Sequence, residues 1–160
     1  MRSVGEAMAI GRNFKESFQK ALVSLEIGLS GLDDIFNYSK KEIIKKLREN
    51  IPNKLLLIAE AFRKKVSLDK IYKLSKVDPW FLNQIKEIVD DENYLKKNGI
   101  PKTSNDFNYI KSIGFSDKKI AELTDISEKV VREKRIKLKI LPVYKKVDTC
   151  AGEFKSYTPY

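Results

Sequence analysis

The residues of this 160-residue sequence whose types could do chemistry are few: the acidic clusters Asp33-Asp34 and Asp90-Asp91-Glu92, and one cysteine, Cys150. Grouped carboxylates are the oxygen ligands that a magnesium ion takes. Adjacent residues on a helix do not share a face, however, and Asp90 to Glu92 lies near a helical end without glycine or amide ligands beside it. Both clusters are therefore read as solvated loop or helix surface. A thiol becomes a nucleophile when a base or cation lowers its pKa, and the chain has no histidine, so Cys150 is read as a packing residue. The same absence removes Ser-His-Asp and Cys-His catalysis and the usual zinc sites. We find no metal-binding loop, no P-loop, no glycine-rich dinucleotide turn and no sequence repeat of fixed period. No catalytic, cofactor-binding or metal residue is assigned.

Bulk properties narrow the class further. Hydrophobic residues make up 42% and charged residues 34% of the chain, the balance of a globular protein with a heavily solvated surface. No apolar run approaches the roughly 20 residues that cross a bilayer, and the start lacks the layout of a signal peptide, so the expected location is cytoplasmic. The net charge of +10 is carried mostly by lysine, whereas base and phosphate readout favours the arginine fork. Most of this charge is read as a solvated face.

The elements that would position any site are helices. Asn13 to Glu16 reads as a capping box, opening a helix whose apolar face is Phe14, Phe18, Ala21, Leu22 and Leu25. Gly28 to Tyr38 reads as a loop, and Ser39 with Glu42 forms a second box before a stripe of Ile43, Ile44 and Leu47 that ends near Pro52. Leu55 to Ala59, continued by Ala61 and Phe62, is apolar around most of the turn and predicts a buried helix rather than a strand. Ser67 caps a short helix with Leu68, Ile71, Tyr72 and Leu74. Asp78-Pro79 starts a long one, running to about Asn98, with an inner face of Trp80, Phe81, Gln84, Ile85, Ile88 and Val89. Trp80, the only tryptophan, is read as an anchor in the core or between subdomains. Gly99 to Ser104 is the clearest boundary, and three smaller helices follow: Asp106 to Ile113, one capped by Ser116, and one capped by Ser127 that runs to about Lys137. The expected fold is all-α, an irregular bundle of seven to nine helices in two subdomains with an extended C-terminal tail.

One stretch points elsewhere. Residues 116–137 read as a helix-turn-helix of a DNA-binding protein: Ala121 for close crossing, Ile126 plugging the turn, Ser127 capping the second helix and Val131 holding it down. Asp125 stands where such turns often carry glycine, and the second helix offers alternating Lys, Arg and Glu rather than readers of base edges. This reading is kept as the alternative.

Four segments carry a likeness to a known family. Leu141-Pro142-Val143-Tyr144-Lys145-Lys146-Val147-Asp148-Thr149-Cys150-Ala151-Gly152-Glu153-Phe154 resembles the start of the second half of the carbamoyl-phosphate synthase large chain. Ser3-Val4-Gly5-Glu6-Ala7-Met8-Ala9-Ile10-Gly11-Arg12 is similar to the end of that enzyme's first ATP-grasp half. Phe18 to Leu22 and Asp78 to Ile85 look like intervening segments of the same enzyme. The resemblance implies that residues 1–12 close a preceding carboxyphosphate half, 13–98 and 99–140 form two helical subdomains of an oligomerisation domain, and 141–160 lead into a carbamoyl-phosphate half. It implies a non-catalytic domain, without cofactor of its own, that joins the two halves and carries contacts between large chains. Glu6 and Arg12 would pack or pair at its border. The parent enzyme, which uses ATP with Mg2+ or Mn2+, would be a ligase making carbamoyl phosphate from bicarbonate, glutamine-derived ammonia and two ATP for arginine and pyrimidine biosynthesis. A glutaminase small chain would be its further partner.

Overall fold

The computed structural model describes residues 7–144 and is all helical there, with eight helices and no strand. They are α1 (Phe14–Ser24), α2 (Lys40–Lys46), α3 (Lys54–Arg63), α4 (Leu68–Ser75), α5 (Pro79–Asn98), α6 (Ser104–Ser112), α7 (Asp117–Thr124) and α8 (Glu128–Lys137). Cys150 and the segments 1–6 and 145–160 lie outside the described residues. Among the described residues no helix is long and apolar enough to cross a membrane.

Side chains close the helix ends as the local sequence dictates. Ser39 and Glu42 form a reciprocal capping box on α2, and Ser67, Ser116 and Ser127 cap α4, α7 and α8. Pro79 sits at the start of α5 behind Asp78, which accepts from the Trp80 N–H. The expected box at α1 is only half made. Asn13 accepts from the Glu16 N–H at 2.9 Å, but the Glu16 carboxylate turns to the Arg12 N–H at 2.8 Å, one residue earlier.

Two apolar faces sit elsewhere than the sequence reading placed them. On α1 the buried residues are Glu16, Gln19 and Leu22, with Phe14 and Phe18 at the margin and Leu25 exposed. On α5 the inward set is Leu82, Ile85, Ile88, Val89, Glu92 and Leu95. Trp80 is 53% exposed and Phe81 41%, so Trp80 is not a core anchor. For Trp80 the reason is angular: at about 100° per residue it falls roughly 170° from the direction set by Leu82 and Ile85, whereas Phe81 lies one turn before Ile85 on the inner side and is half-exposed in the first turn of the helix.

The structure also contains an internal repeat that we did not find in the sequence. Shifting α4 (68–75) by 49 positions lands it on α7 (117–124), and the same shift carries the start of α5 at 79 to the start of α8 at 128. The end of α3 at Arg63 likewise maps to the end of α6 at Ser112. The backbone signals coincide. Ser67 and Ser116 accept from the Lys70 and Lys119 N–H groups, and Lys76 and Asp125 hold left-handed φ of 58° and 55°. Val66 and Phe115, one position before each serine, donate to the carbonyls of Ala61 and Ile110. Core positions match as well: Val66 with Phe115, Ile71 with Ile120 and Leu82 with Val131 are all buried. The pattern occurs twice among the described residues, and its identities are few, such as Ser67 with Ser116, Lys70 with Lys119 and Ile71 with Ile120, so it leaves little periodic signal.

The two three-helix units, α3–α5 and α6–α8, share one continuous buried cluster. Helix α5 packs against α1, α3, α4 and α7 and so contributes to both.

Candidate functional site

Two features outside the plain apolar core could carry function: a buried ionic network and a half-buried aromatic cluster whose open members are Trp80 and Phe81. Both follow from how the chain before α2 crosses the two units. Helix α1 meets unit two through close backbone approach. A Cβ on Gly114, whose φ is +99°, would lie 3.0 Å from the Glu16 Cα, and Gln19 donates to the Ile113 carbonyl at 2.7 Å. Asn13 donates to the Ser112 carbonyl at 3.0 Å. The loop after α1 then drops Leu32 into the core, fully buried, and brings Asp33 toward α7.

Lys119 on α7 is 5% exposed and reaches Asp33 Oδ1 at 2.5 Å and Glu92 Oε1 on α5 at 3.4 Å. Arg63 on α3 donates to Glu92 Oε2 at 2.7 Å, to Glu60 Oε2 at 3.3 Å and to the Leu32 carbonyl. Lys64 covers the other Glu60 oxygen at 3.1 Å. The Ser30 hydroxyl donates to Glu122 Oε2 at 2.6 Å, and the Ser30 N–H donates to Asp33 Oδ2 at 2.6 Å. Burial pushes the Asp33 carboxyl up, but Lys119 and the Ser30 donors outweigh it and hold its pKa below the ordinary carboxylate value. Burial also acts against the charged Arg63 guanidinium, and Glu92 with Glu60 overcomes it and raises its pKa.

The acidic clusters of the sequence thus meet in part. Asp33 and Glu92 share Lys119, which corrects the solvated reading for Glu92, 1% exposed. Asp90 pairs with Lys86 at the surface. Asp91 accepts from the Tyr109 hydroxyl at 3.1 Å, and burial raises its pKa. Asp34 accepts from the Phe36 N–H in a shallow, solvent-open depression lined by Asp34, Ile35, Phe36 and Asn37. Among the described residues no group of three or more His, Cys, Asp or Glu side chains could hold a metal ion. Both oxygens of Asp33 are engaged by Lys119 and Ser30, and Glu92 Oε2 by Arg63, while Glu92 Oε1 faces Lys119 at ion-pair distance without a hydrogen bond.

The sequence reading missed Glu60, Arg63, Glu92 and Lys119 as a group. The available signal was charge inside an apolar pattern: Glu60 and Arg63 interrupt the all-round apolar α3, and Glu92 extends the inner face of α5 by one turn beyond Ile88.

At the other end of α1, Phe14 stacks on Phe18 with ring centroids 5.4 Å apart and meets Trp80 and Phe81 edge-on, each at 5.3 Å. Trp80 and Phe81 contact each other at 5.0 Å. Lys15 of α1 and Glu87 of α5 pair at 2.8 Å between the same two helices.

Helices α7 and α8 are joined by a short turn, with Ala121 and Val131 buried and Asp125 in the left-handed conformation. The same corner recurs at α4 and α5, where Pro79 and Trp80 occupy the places of Glu128 and Lys129. Its shape is therefore the joint of a repeated unit. Arg135 is turned inward to Asp117 at 2.9 Å and to the Ile140 carbonyl at 2.8 Å, away from any ligand-facing surface.

Comparisons with known proteins agree on one assignment. A sequence model described as the carbamoyl-phosphate synthetase large chain oligomerisation domain matches residues 6–139. The chain is 47% identical over its whole length to the carbamoyl phosphate synthase arginine-specific large chain, chloroplastic, of Arabidopsis thaliana, of which it covers 14%. It is 47% identical to the carbamoyl phosphate synthase large chain of Haemophilus ducreyi and 46% identical to that of Ralstonia nicotianae, again over its whole length and 15% of each relative. The chain thus spans about one seventh of the length of these relatives. It belongs to the family of oligomerisation domains of the carbamoyl-phosphate synthetase large chain.

Proposed function

We propose that this chain acts as a non-catalytic connector and self-association domain within a longer polypeptide. The observation that carries the reading is the oligomerisation-domain match across 6–139, which includes all eight helices. The chemistry belongs to the parts of the parent that flank it. Those are ATP-grasp halves that use ATP with Mg2+ or Mn2+ to convert bicarbonate and ammonia into carbamoyl phosphate, and a glutaminase small chain supplies the ammonia. In this reading residues 1–12 close the preceding half, 13–98 and 99–140 are the two subdomains, and 141–160 lead into the following half. The setting is cytoplasmic, and the product feeds arginine and pyrimidine synthesis.

Sedimentation of the 160-residue chain across a wide concentration range tests the self-association role. A dimer is the first species expected, because closed two-fold symmetry is the commonest arrangement of identical chains. A strictly monomeric chain, together with a parent protein whose association survives charged substitutions at this domain's exposed apolar residues, rejects that role. ATP turnover measured with bicarbonate and ammonia is expected to be absent from the isolated chain. Turnover abolished by a point change within it rejects the non-catalytic assignment.

A further inference from the structure

We propose that one water molecule is built into the core beside Gly31, held between Gln19 of α1, Glu92 of α5 and Lys119 of α7. Gln19 and Glu92 are each 1% exposed and Lys119 is 5% exposed, so all three polar ends lie out of reach of bulk solvent. Gln19 Oε1 and Glu92 Oε1 nevertheless accept no hydrogen bond from the described residues. A buried acceptor without a donor costs about 1–3 kcal/mol, and folded proteins pair nearly all such groups with their own donors or with ordered water.

Neither oxygen is free to turn elsewhere. Gln19 donates from Nε2 to the Ile113 carbonyl at 2.7 Å, which fixes Oε1 as the other end of the amide. Exchanging the two ends would set oxygen against oxygen. Glu92 spends Oε2 on Arg63, which donates to it from Nε at 3.0 Å and from Nη2 at 2.7 Å. Its Oε1 lies 3.4 Å from Lys119 Nζ without making a hydrogen bond. Lys119 has N–H groups to spare, since an ammonium carries three donors and Asp33 takes one.

Gly31 marks where these ends converge. A Cβ there would lie 3.2 Å from Gln19 Oε1 and 3.8 Å from both Cδ and Cε of Lys119, so the unpaired oxygen and the end of the lysine face the same side of a residue without a side chain. The chemistry of the three ends then selects the occupant. The Lys119 ammonium opposes a second cation, and the Glu92 carboxylate with the Gln19 oxygen opposes an anion. A neutral group that accepts from Lys119 and donates to both oxygens satisfies all three, and water does so with the three partners usual for a buried one. It joins α1, α5 and α7 where the loop after α1 crosses them.

The test is a crystal structure of the 160-residue chain at a resolution that shows ordered water. The expected result is one fully occupied water within about 2.7–3.2 Å of Gln19 Oε1, Glu92 Oε1 and Lys119 Nζ. A protein donor on either oxygen, an ion in that place, or no density between the three ends overturns the proposal. Gly31→Ala brings a methyl group into the same space and is expected to lose this water while keeping the bond from Gln19 to Ile113. A water retained there in the variant also overturns it. Oxygen-17 relaxation dispersion gives a reading in solution: the wild type is expected to hold one more long-lived water than Gly31→Ala, and equal numbers count against the site. If Gly31→Ala does not fold, the wild-type density decides alone.

Discussion

Lys70 and Lys119 occupy the same position in the two repeated units, yet Lys70 stands in water and Lys119 is 5% exposed between Asp33 and Glu92. The backbone around both is alike, so the difference lies in what crosses them. The loop after α1 lies over Lys119 and supplies Asp33. A charge taken out of water persists only when it is paired, and truncating one partner leaves the other unpaired.

Lys119→Met is accordingly expected to lower the unfolding free energy by about 3–5 kcal/mol, because Glu92 loses one of its cationic partners and Asp33 its strongest one. The matched change Lys70→Met, at an exposed site, should stay within about 0.5 kcal/mol. Urea unfolding of both variants checks the pair, and equal losses would show that burial of Lys119 has no energetic weight.

Arg63→Lys should not substitute for the native residue. The guanidinium holds Glu60, Glu92 and the Leu32 carbonyl at once, whereas an ammonium has neither the fork nor the reach. We expect a loss of about 2–4 kcal/mol and faster proteolysis within 28–34, read by gel against the wild-type time course.

The carboxylates give opposite pH signatures. Burial works against ionised Asp33 and Asp117, but Lys119 with Ser30, and Lys111 with Arg135, depress both folded-state pKa values below 3.8. A depressed acid contributes stability that is complete above its unfolded value and lost as pH falls through its folded one. Asp33→Asn and Asp117→Asn should therefore be less stable than wild type at pH 7 and converge with it in strong acid. Asp91 is raised above 3.8, chiefly by burial, so its charged form opposes folding at neutral pH. Asp91→Asn should be more stable than wild type at pH 7, with the gain vanishing below about pH 3.8, as denaturant midpoints across pH 3–7 would show.

Gly114→Ala should loosen α1 from unit two. The position combines a φ of +99° with the 3.0 Å approach to Glu16, so both backbone strain and a clash oppose a methyl group. The expected cost is about 1–3 kcal/mol, seen by thermal unfolding, with amide exchange quickening in α1 before α7.

Much of the fold was legible in the residues. Serine, asparagine and aspartate caps and the Asp78-Pro79 start are local chemistry, and the helices they predict are present at those places. The faces of α1 and α5 were less legible, because a stripe that mixes aromatics with aliphatics can be centred on either. Only packing against α3 and α7 decides that Leu82 points inward and Trp80 outward. The ionic network was invisible for a different reason. Lys119 meets Asp33 across 86 positions of chain, and a lysine that is buried has the same letter as one that is not.

Helix α5 runs uninterrupted through 20 residues, and both repeated units are built on it. A helix advances about 1.5 Å and turns about 100° per residue, so this one acts as a shaft about 30 Å long whose angular phase is set by residue count. Trp80 near its first turn and Glu92 in its fourth have a fixed bearing relative to each other. Adding or removing a single residue between them would turn everything beyond it by about 100° and split the inner face of Leu82, Ile85, Ile88, Val89, Glu92 and Leu95 into two that no longer align. The domain therefore keeps its two halves in register through the length of one helix, and length is a quantity that point substitutions on that helix do not change.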